Sequence, residues 1–251
     1  MRTLSDIKTV PETYPVGTCP HCGRPLLAGR IYGVEINLEC ECQTEARERE
    51  EQRRNEKKAL DRIAKNRRES GLPRAYINIS FDDFEEREGT QTALRNARKY
   101  AENINAITKG LLLIGNTGSG KTHLAAAIAN KVLDAGYTVK FARAADIPYE
   151  VQKTYGDPTK SEDEVIEPLR RCKLLIIDDL GADKLTDFDR AVIHGILDYR
   201  IINCKPTVVT TNLAENQMMA TLDSRTVDRI LGKDYYQYRL TAKSYRRNNK
   251  K

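Results

Sequence analysis

Gly115-Asn116-Thr117-Gly118-Ser119-Gly120-Lys121-Thr122 is the stretch on which the fold turns. Leu111-Leu112-Leu113-Ile114 leads into it, short and fully apolar, as a buried parallel strand is. His123-Leu124-Ala125-Ala126-Ala127-Ile128-Ala129 leads out of it, alanine-rich and helix-forming. Strand, glycine loop, Lys-Thr and helix together are the setting of a phosphate-binding P-loop. The glycines let backbone N–H groups turn inward around phosphates, and the helix N-terminus adds partial positive charge. Lys121 is then predicted to reach the β- and γ-phosphates, and the Thr122 hydroxyl to ligate Mg²⁺. A chance Gly-Lys-Thr in an ordinary turn lacks this flanking context, so a nucleoside triphosphate is the expected ligand.

Downstream, Leu174-Leu175-Ile176-Ile177-Asp178-Asp179 predicts a buried strand that delivers two carboxylates at its C-terminal edge. Ligands of open α/β sheets sit at that edge. Asp178 fits a Mg²⁺-associated Walker B carboxylate, and Asp179 the group that orients and activates the attacking water. A carboxylate there predicts hydrolysis rather than storage of the nucleotide. Thr207-Val208-Val209-Thr210-Thr211-Asn212 predicts a further core strand, with Asn212 beside the γ-phosphate.

The elements between and before these motifs complete an α/β pattern. Tyr137–Phe141 reads as a strand, while Ala144–Tyr155, Ser161–Cys172 and Thr186–Asn203 read as helices. Asn78–Phe84 reads as an extended lead-in. Thr90–Ile107 reads as an amphipathic helix, with Leu94, Ala97, Tyr100, Ala101 and Ile104 at helical spacing. The expected architecture is a parallel sheet flanked by helices, spanning residues 73–251.

The N-terminal third is built differently. Cys19-Pro20-His21-Cys22-Gly23 and Cys40-Glu41-Cys42 form two close cysteine pairs, with Tyr32–Leu38 between them reading as a hairpin strand. Two such pairs can close a tetrahedral S₄ site, and a region this small needs a metal to supply folding energy. Residues 1–42 are therefore predicted to be a head holding structural Zn²⁺ on Cys19, Cys22, Cys40 and Cys42. The one-residue gap between Cys40 and Cys42 leaves His21 open as a substitute ligand. A redox Cys-x-x-Cys would leave the second pair unexplained. From residue 43 to 72 a mixed-charge run without Gly or Pro before Gly71 predicts a solvated helix, serving as a spacer or as a docking helix for a partner.

Composition bounds the class. The chain has 251 residues, 31% of them charged, and a formal net charge of +6, which permits nucleic-acid contact without establishing it. No apolar run suits a membrane span, and Met1-Arg2-Thr3-Leu4-Ser5-Asp6 lacks the apolar core of a signal peptide. A cytoplasmic location follows as the expectation, and there cysteines serve as ligands or buried thiols rather than disulfides.

The order of P-loop, Asp-Asp Walker B, Thr-Thr-Asn and then Ser224-Arg225-Thr226-Val227-Asp228-Arg229-Ile230 resembles the AAA+ ATPases of the DnaC/DnaI helicase-loader group. The resemblance covers roughly residues 73 to 240, and the cysteine head and charged helix are similar to those of DnaI-like and phage-encoded loaders. It implies an ATP-dependent loader that binds the replicative hexameric DNA helicase through its N-terminal region. It also implies self-association through the ATPase domain and contact with single-stranded DNA, with Ala144–Tyr155 as the insert facing DNA. Arg143, Lys153, Tyr155 and Lys160 suit that contact, whereas Lys243, Arg246, Arg247, Lys250 and Lys251 make a basic tail equally consistent with plain solvation. Arg225 and Arg229 match the arginines that reach a neighbouring subunit's nucleotide, and Asp228 is their local alternative partner. After Leu240 only a short basic segment follows, so no helical lid is expected, which is also the loader pattern.

The IstB-type helper of DNA transposition has a closely similar core and is the alternative, though the cysteine head favours the loader. A DnaA-like initiator would need a C-terminal DNA-binding helical domain. A P-loop kinase would need a lid and an acceptor site. A zinc adaptor with a vestigial ATPase is opposed by intact Lys121, Thr122, Asp178 and Asp179.

Overall fold

Thr13–Thr18 (β1), Pro25–Ile31 (β2) and Val34–Asn37 (β3) form an antiparallel sheet in that order, with a bulge between Pro15 and Gly17. The computed structural model describes residues 13–31 and 34–245. Met1 to Asp6, Tyr32, and Arg246, Arg247, Lys250 and Lys251 of the basic tail lie outside the described residues. Where the apolar pattern predicts one strand, the head has three. The turn joining β1 to β2 is the Cys19-Pro20-His21-Cys22 knuckle itself. Cys19 N–H donates to Arg24 O at 2.8 Å, and Gly23, at φ 74°, donates to Cys19 O at 2.9 Å.

The charged run folds into one 28-residue helix, Glu41–Arg68 (α1), most of it exposed. Pairs such as Arg49–Glu45 at 3.0 Å support it along its surface. The chain divides into two compact units between Leu60 and Asp61. In the second unit the last turn of α1 is held by polar side chains rather than apolar ones. Asn66 donates to Gly136 O at 3.1 Å. Arg67 donates to Ile77 O and Asn130 Oδ1, both at 2.7 Å, and pairs with Asp134 at 2.6 Å.

The second unit is the expected α/β sheet. Its elements follow a short 3₁₀ turn at Arg74–Tyr76 as Gln91–Glu102 (α2), Gly110–Gly115 (β4), Lys121–Asp134 (α3) and Val139–Arg143 (β5). Asp146–Gln152 (α4), Glu162–Arg171 (α5), Leu174–Asp178 (β6) and Asp187–Ile202 (α6) continue it. Thr207–Thr211 (β7), Glu215–Thr221 (α7), Ser224–Leu231 (α8) and Tyr235–Leu240 (β8) close it. All five strands are parallel, in the order β5-β6-β7-β4-β8.

Side chains alternate across this sheet with period two. Leu111 and Leu113 of β4, with Leu174 and Ile176 of β6, face α2 and α3. Leu112, Ile114, Leu175 and Ile177 face the layer containing α5, α6 and α8. Helices therefore cover both faces, which is why these strands are apolar throughout. The helix predicted over Thr90–Ile107 is shorter, with Thr90 as N-cap and Asn103 as C-cap. The Ala144–Tyr155 helix is likewise confined to α4. Thr186 accepts from Asp189 N–H, and Asp189 accepts from Thr186 N–H, so a capping box starts α6.

Among the described residues no helix is long and apolar enough to cross a membrane.

Candidate functional site

The loops that leave the C-terminal ends of β4 and β6 meet at a cavity of about 300 Å³. Thr117, Gly118, Gly120, Lys121, Thr122 and Asp179 are among the residues that line it. Gly118 and Gly120 have φ of 79° and 107°, in the left-handed region open to glycine. A Cβ on Gly120 would lie 2.6 Å from the Phe84 ring, so the loop also needs glycine for close packing. Lys121 is 5% exposed, and its ammonium donates to the carbonyls of Gly115 at 2.7 Å and Asn116 at 3.1 Å. The loop thus curls around the lysine that the sequence assigns to phosphate.

The Walker B carboxylates are positioned by threonines. The Thr122 hydroxyl donates to Asp178, 3.0 and 3.2 Å from its two oxygens. Thr210 on β7 donates to Asp178 Oδ1 at 2.6 Å and accepts from Asp179 N–H at 2.9 Å. Burial pushes the Asp178 carboxyl above its usual range, and the nearby Asp179 adds to this. The Thr210 and Thr122 hydrogen bonds and the Lys121 charge act in the opposite direction. Asp179 is exposed to the cavity and holds φ 56°.

A hydroxyl and a buried carboxylate brought together in this way form an oxygen donor set that suits a hard cation such as Mg²⁺. Thr122 and Asp178 would hold the ion, which would supply positive charge to offset that of the phosphates.

Thr210 escaped the sequence reading, because its role depends on β6 and β7 being neighbours. Asn212 is exposed, just past the end of β7, and is not among the cavity walls. The cavity is also lined by Tyr76, Asp83, Phe84, Arg87, His123 and Tyr245, to which the sequence analysis gave no role at the site. Phe84 meets His123 edge-on at 5.3 Å, and burial lowers the His123 pKa, favouring neutral imidazole.

Arg225 and Arg229 do not line this cavity. Arg229 pairs with Asp198 of α6 at 2.8 Å and lies 4.0 Å from Asp234, so its in-chain partner is Asp198 rather than Asp228. Arg225 is exposed on the same helix. In the insert, Lys153 pairs with Glu150, Lys160 with Asp157, and Arg143 lies 3.8 Å from Asp183. Tyr149 and Tyr155 are 58% and 61% exposed, and Tyr155 meets Phe188 edge-on at 6.0 Å.

In the head, the sulfurs of Cys19, Cys22, Cys40 and Cys42 all lie within 4.8 Å of one another. Cys19–Cys42, Cys22–Cys40 and Cys40–Cys42 are 3.6, 3.4 and 3.5 Å apart, and no disulfide joins them. A tetrahedron with Zn–S bonds of about 2.3 Å has edges of about 3.8 Å, so the four thiols form a cluster that can hold such a metal. His21 is not part of it. Hydrogen bonds from the backbone at His21 and Cys22 bring the Cys19 thiol down to about 6, while the bond shared with Cys22 pushes Cys42 up.

A profile of the family described as IstB-like ATP binding protein matches residues 45–251. The replicative helicase loader DnaC of Escherichia coli K12 is 32% identical over 186 residues, covering 70% of this chain and 76% of DnaC. Among solved structures, the DnaC helicase loader aligns with TM-score 0.60 and 26% identity over 67% of this chain and 100% of that one. DnaI aligns with TM-score 0.60 and 26% identity over 68% of this chain and 96% of that one.

Proposed function

The chain belongs to the IstB-like ATP-binding family, and from that membership we propose that it loads a replicative DNA helicase at the expense of ATP. It is a P-loop ATPase of the AAA+ type. The observation that carries the loader reading is the match to DnaC, which extends over 76% of that loader at 32% identity. The four-cysteine head before the ATPase unit favours a loader over a transposition helper.

In this reading ATP is held by the Gly115–Thr122 loop and Lys121. Thr122 and Asp178 would hold Mg²⁺, and Thr210 fixes the Asp178 carboxylate and the Asp179 backbone. Asp179, solvent-accessible at the cavity wall, accepts the proton of the attacking water. Asn212 would help to orient that water once nucleotide is bound. Arg225 and Arg229 would serve the nucleotide of an adjoining subunit. Zn²⁺ on the four cysteines folds the head, and residues 1–72 engage the hexameric helicase.

Single-stranded DNA is assigned to the insert around α4. Because Lys153 and Lys160 are already paired with carboxylates, stacking on Tyr149 and Tyr155 should contribute more than phosphate contact. Tyr155→Ala should then weaken binding by about 1–3 kcal/mol, with Lys153→Ala changing mainly the salt dependence.

The test of the main reading is co-purification of the full chain with a replicative helicase, followed by loading of that helicase onto a single-stranded DNA circle. Complex formation lost with Cys19→Ser, and loading lost with Lys121→Ala, are the expected results. Absence of any complex with the intact chain would sink the loader assignment.

A further inference from the structure

We propose that Tyr245, steadied by Arg87, is the residue that stacks on the purine base of the bound nucleotide, which makes the segment after β8 part of the binding machinery. The proposal rests on the cavity being an ATP site and adds to it the group that grips the base.

The segment 241–245 does not leave the fold after β8. Thr241 N–H donates to Gly89 O at 3.2 Å, and Ala242 is buried. Ser244 lies directly against Gly118, and Tyr245 N–H donates to Gly118 O at 2.9 Å. The segment is therefore laid along the phosphate loop itself. Arg87, from the lead-in before α2, ties the two together. Its guanidinium donates to Lys243 O at 2.6 Å and to Ser119 O at 3.4 Å. It also lies over the Tyr245 ring at 5.4 Å.

These contacts fix the ring at the cavity wall with one face against a cation. Tyr245 remains 43% exposed and lines the cavity, so a ring with one face on Arg87 still has surface to offer a ligand. Phosphates are provided for at Lys121 and Thr122, and a ring face offers them nothing. A purine has a π-face that stacks well on an aromatic side chain. Of the other aromatic rings on the cavity wall, Phe84 is 8% exposed and packed edge-on against His123, and Tyr76 is half-buried against the core, which leaves Tyr245 as the most open ring.

The test compares ATP with inorganic tripolyphosphate, which carries the phosphates without the base. Tyr245→Ala should raise the Kd for ATP about tenfold and leave that for tripolyphosphate unchanged, whereas Tyr245→Phe should keep both. Equal weakening of both ligands would mean that Tyr245 only supports the loop, and no weakening of either would mean that it is idle; both overturn the proposal. The chain contains no tryptophan, so Tyr245→Trp supplies a single reporter. Its fluorescence should change on adding ATP and not on adding tripolyphosphate, and a signal blind to ATP also overturns the proposal. Failure of the wild type to bind ATP at all would instead refute the ATP site itself.

Discussion

Asp179 combines a reactive position with a backbone that few residues accept. Its φ of 56° is left-handed, where asparagine and aspartate are the most tolerant of the non-glycine residues. Asp179→Asn therefore removes the basic oxygen without straining the turn. It should bind ATP normally and hydrolyse it about 10²–10⁴ times more slowly, as the loss of a general base does. Asp179→Ala should lose activity and also about 1–2 kcal/mol of stability, measurable as a lower melting temperature. Lys121→Ala should fail earlier, in nucleotide binding, since it removes the charge that the loop is wrapped around. Wild-type turnover by Asp179→Asn would show that another group takes the proton. The motif residues were readable in the sequence because their chemistry is tied to local spacing. Thr210 was not, because a threonine in a strand carries no mark of the carboxylate that faces it on the neighbouring strand.

At the level of elements, legibility followed burial. β4 and β6 lie in the interior of the sheet, with both faces covered, and their uninterrupted apolar runs announce it. β8 is an edge strand, and Tyr235-Tyr236-Gln237-Tyr238-Arg239-Leu240 has a half-polar pattern that predicts no core strand. The head gave two cysteine pairs but not β1, whose residues are all exposed and leave no apolar alternation to read. Its stability should depend on metal, as in small domains generally. Metal analysis should give about one zinc per chain, and Cys19→Ser should unfold the head while leaving ATP binding intact. A folded, metal-free head would remove this account.

Another element-level device lies in the second unit. Arg200 of α6 is fully buried, and its guanidinium donates to the carbonyls of Leu169, Cys172 and Pro206 at 2.8, 3.1 and 2.6 Å. It thereby fastens the end of α5 and the loop before β7 to α6. Arg200→Ala would leave several buried acceptors without donors, at about 3 kcal/mol or more. That corresponds to a Tm lower by roughly 6–12 °C for a unit of this size, measured by thermal unfolding.

At the scale of the whole molecule, the candidate site has a lysine, two carboxylates and a threonine pair, and its wall arginine, Arg87, is engaged by the Lys243 and Ser119 carbonyls, while Arg225 and Arg229 lie outside the cavity walls. Phosphoryl transfer develops charge that an arginine is well suited to stabilise. If α8 serves an adjoining subunit, Arg229→Ala should bind ATP normally and hydrolyse it poorly. Mixing it with Asp179→Asn should restore part of the activity, because one interface then pairs an intact carboxylate with an intact arginine. Wild-type specific activity should also rise with protein concentration. Concentration-independent turnover without rescue would place the arginines in a purely structural role, consistent with the Arg229–Asp198 pair.

The left-handed turn at Asp179 has a genetic corollary. Aspartate and asparagine codons differ by one base, so the substitution that the backbone tolerates best is also within reach of a single mutation. The product is expected to fold and to bind ATP. If copies of the chain act together, as the loader reading holds, a cell carrying both alleles would form mixed assemblies with defective positions. The turn's tolerance for asparagine therefore puts a folded form without the Asp179 carboxylate one base transition away from the gene.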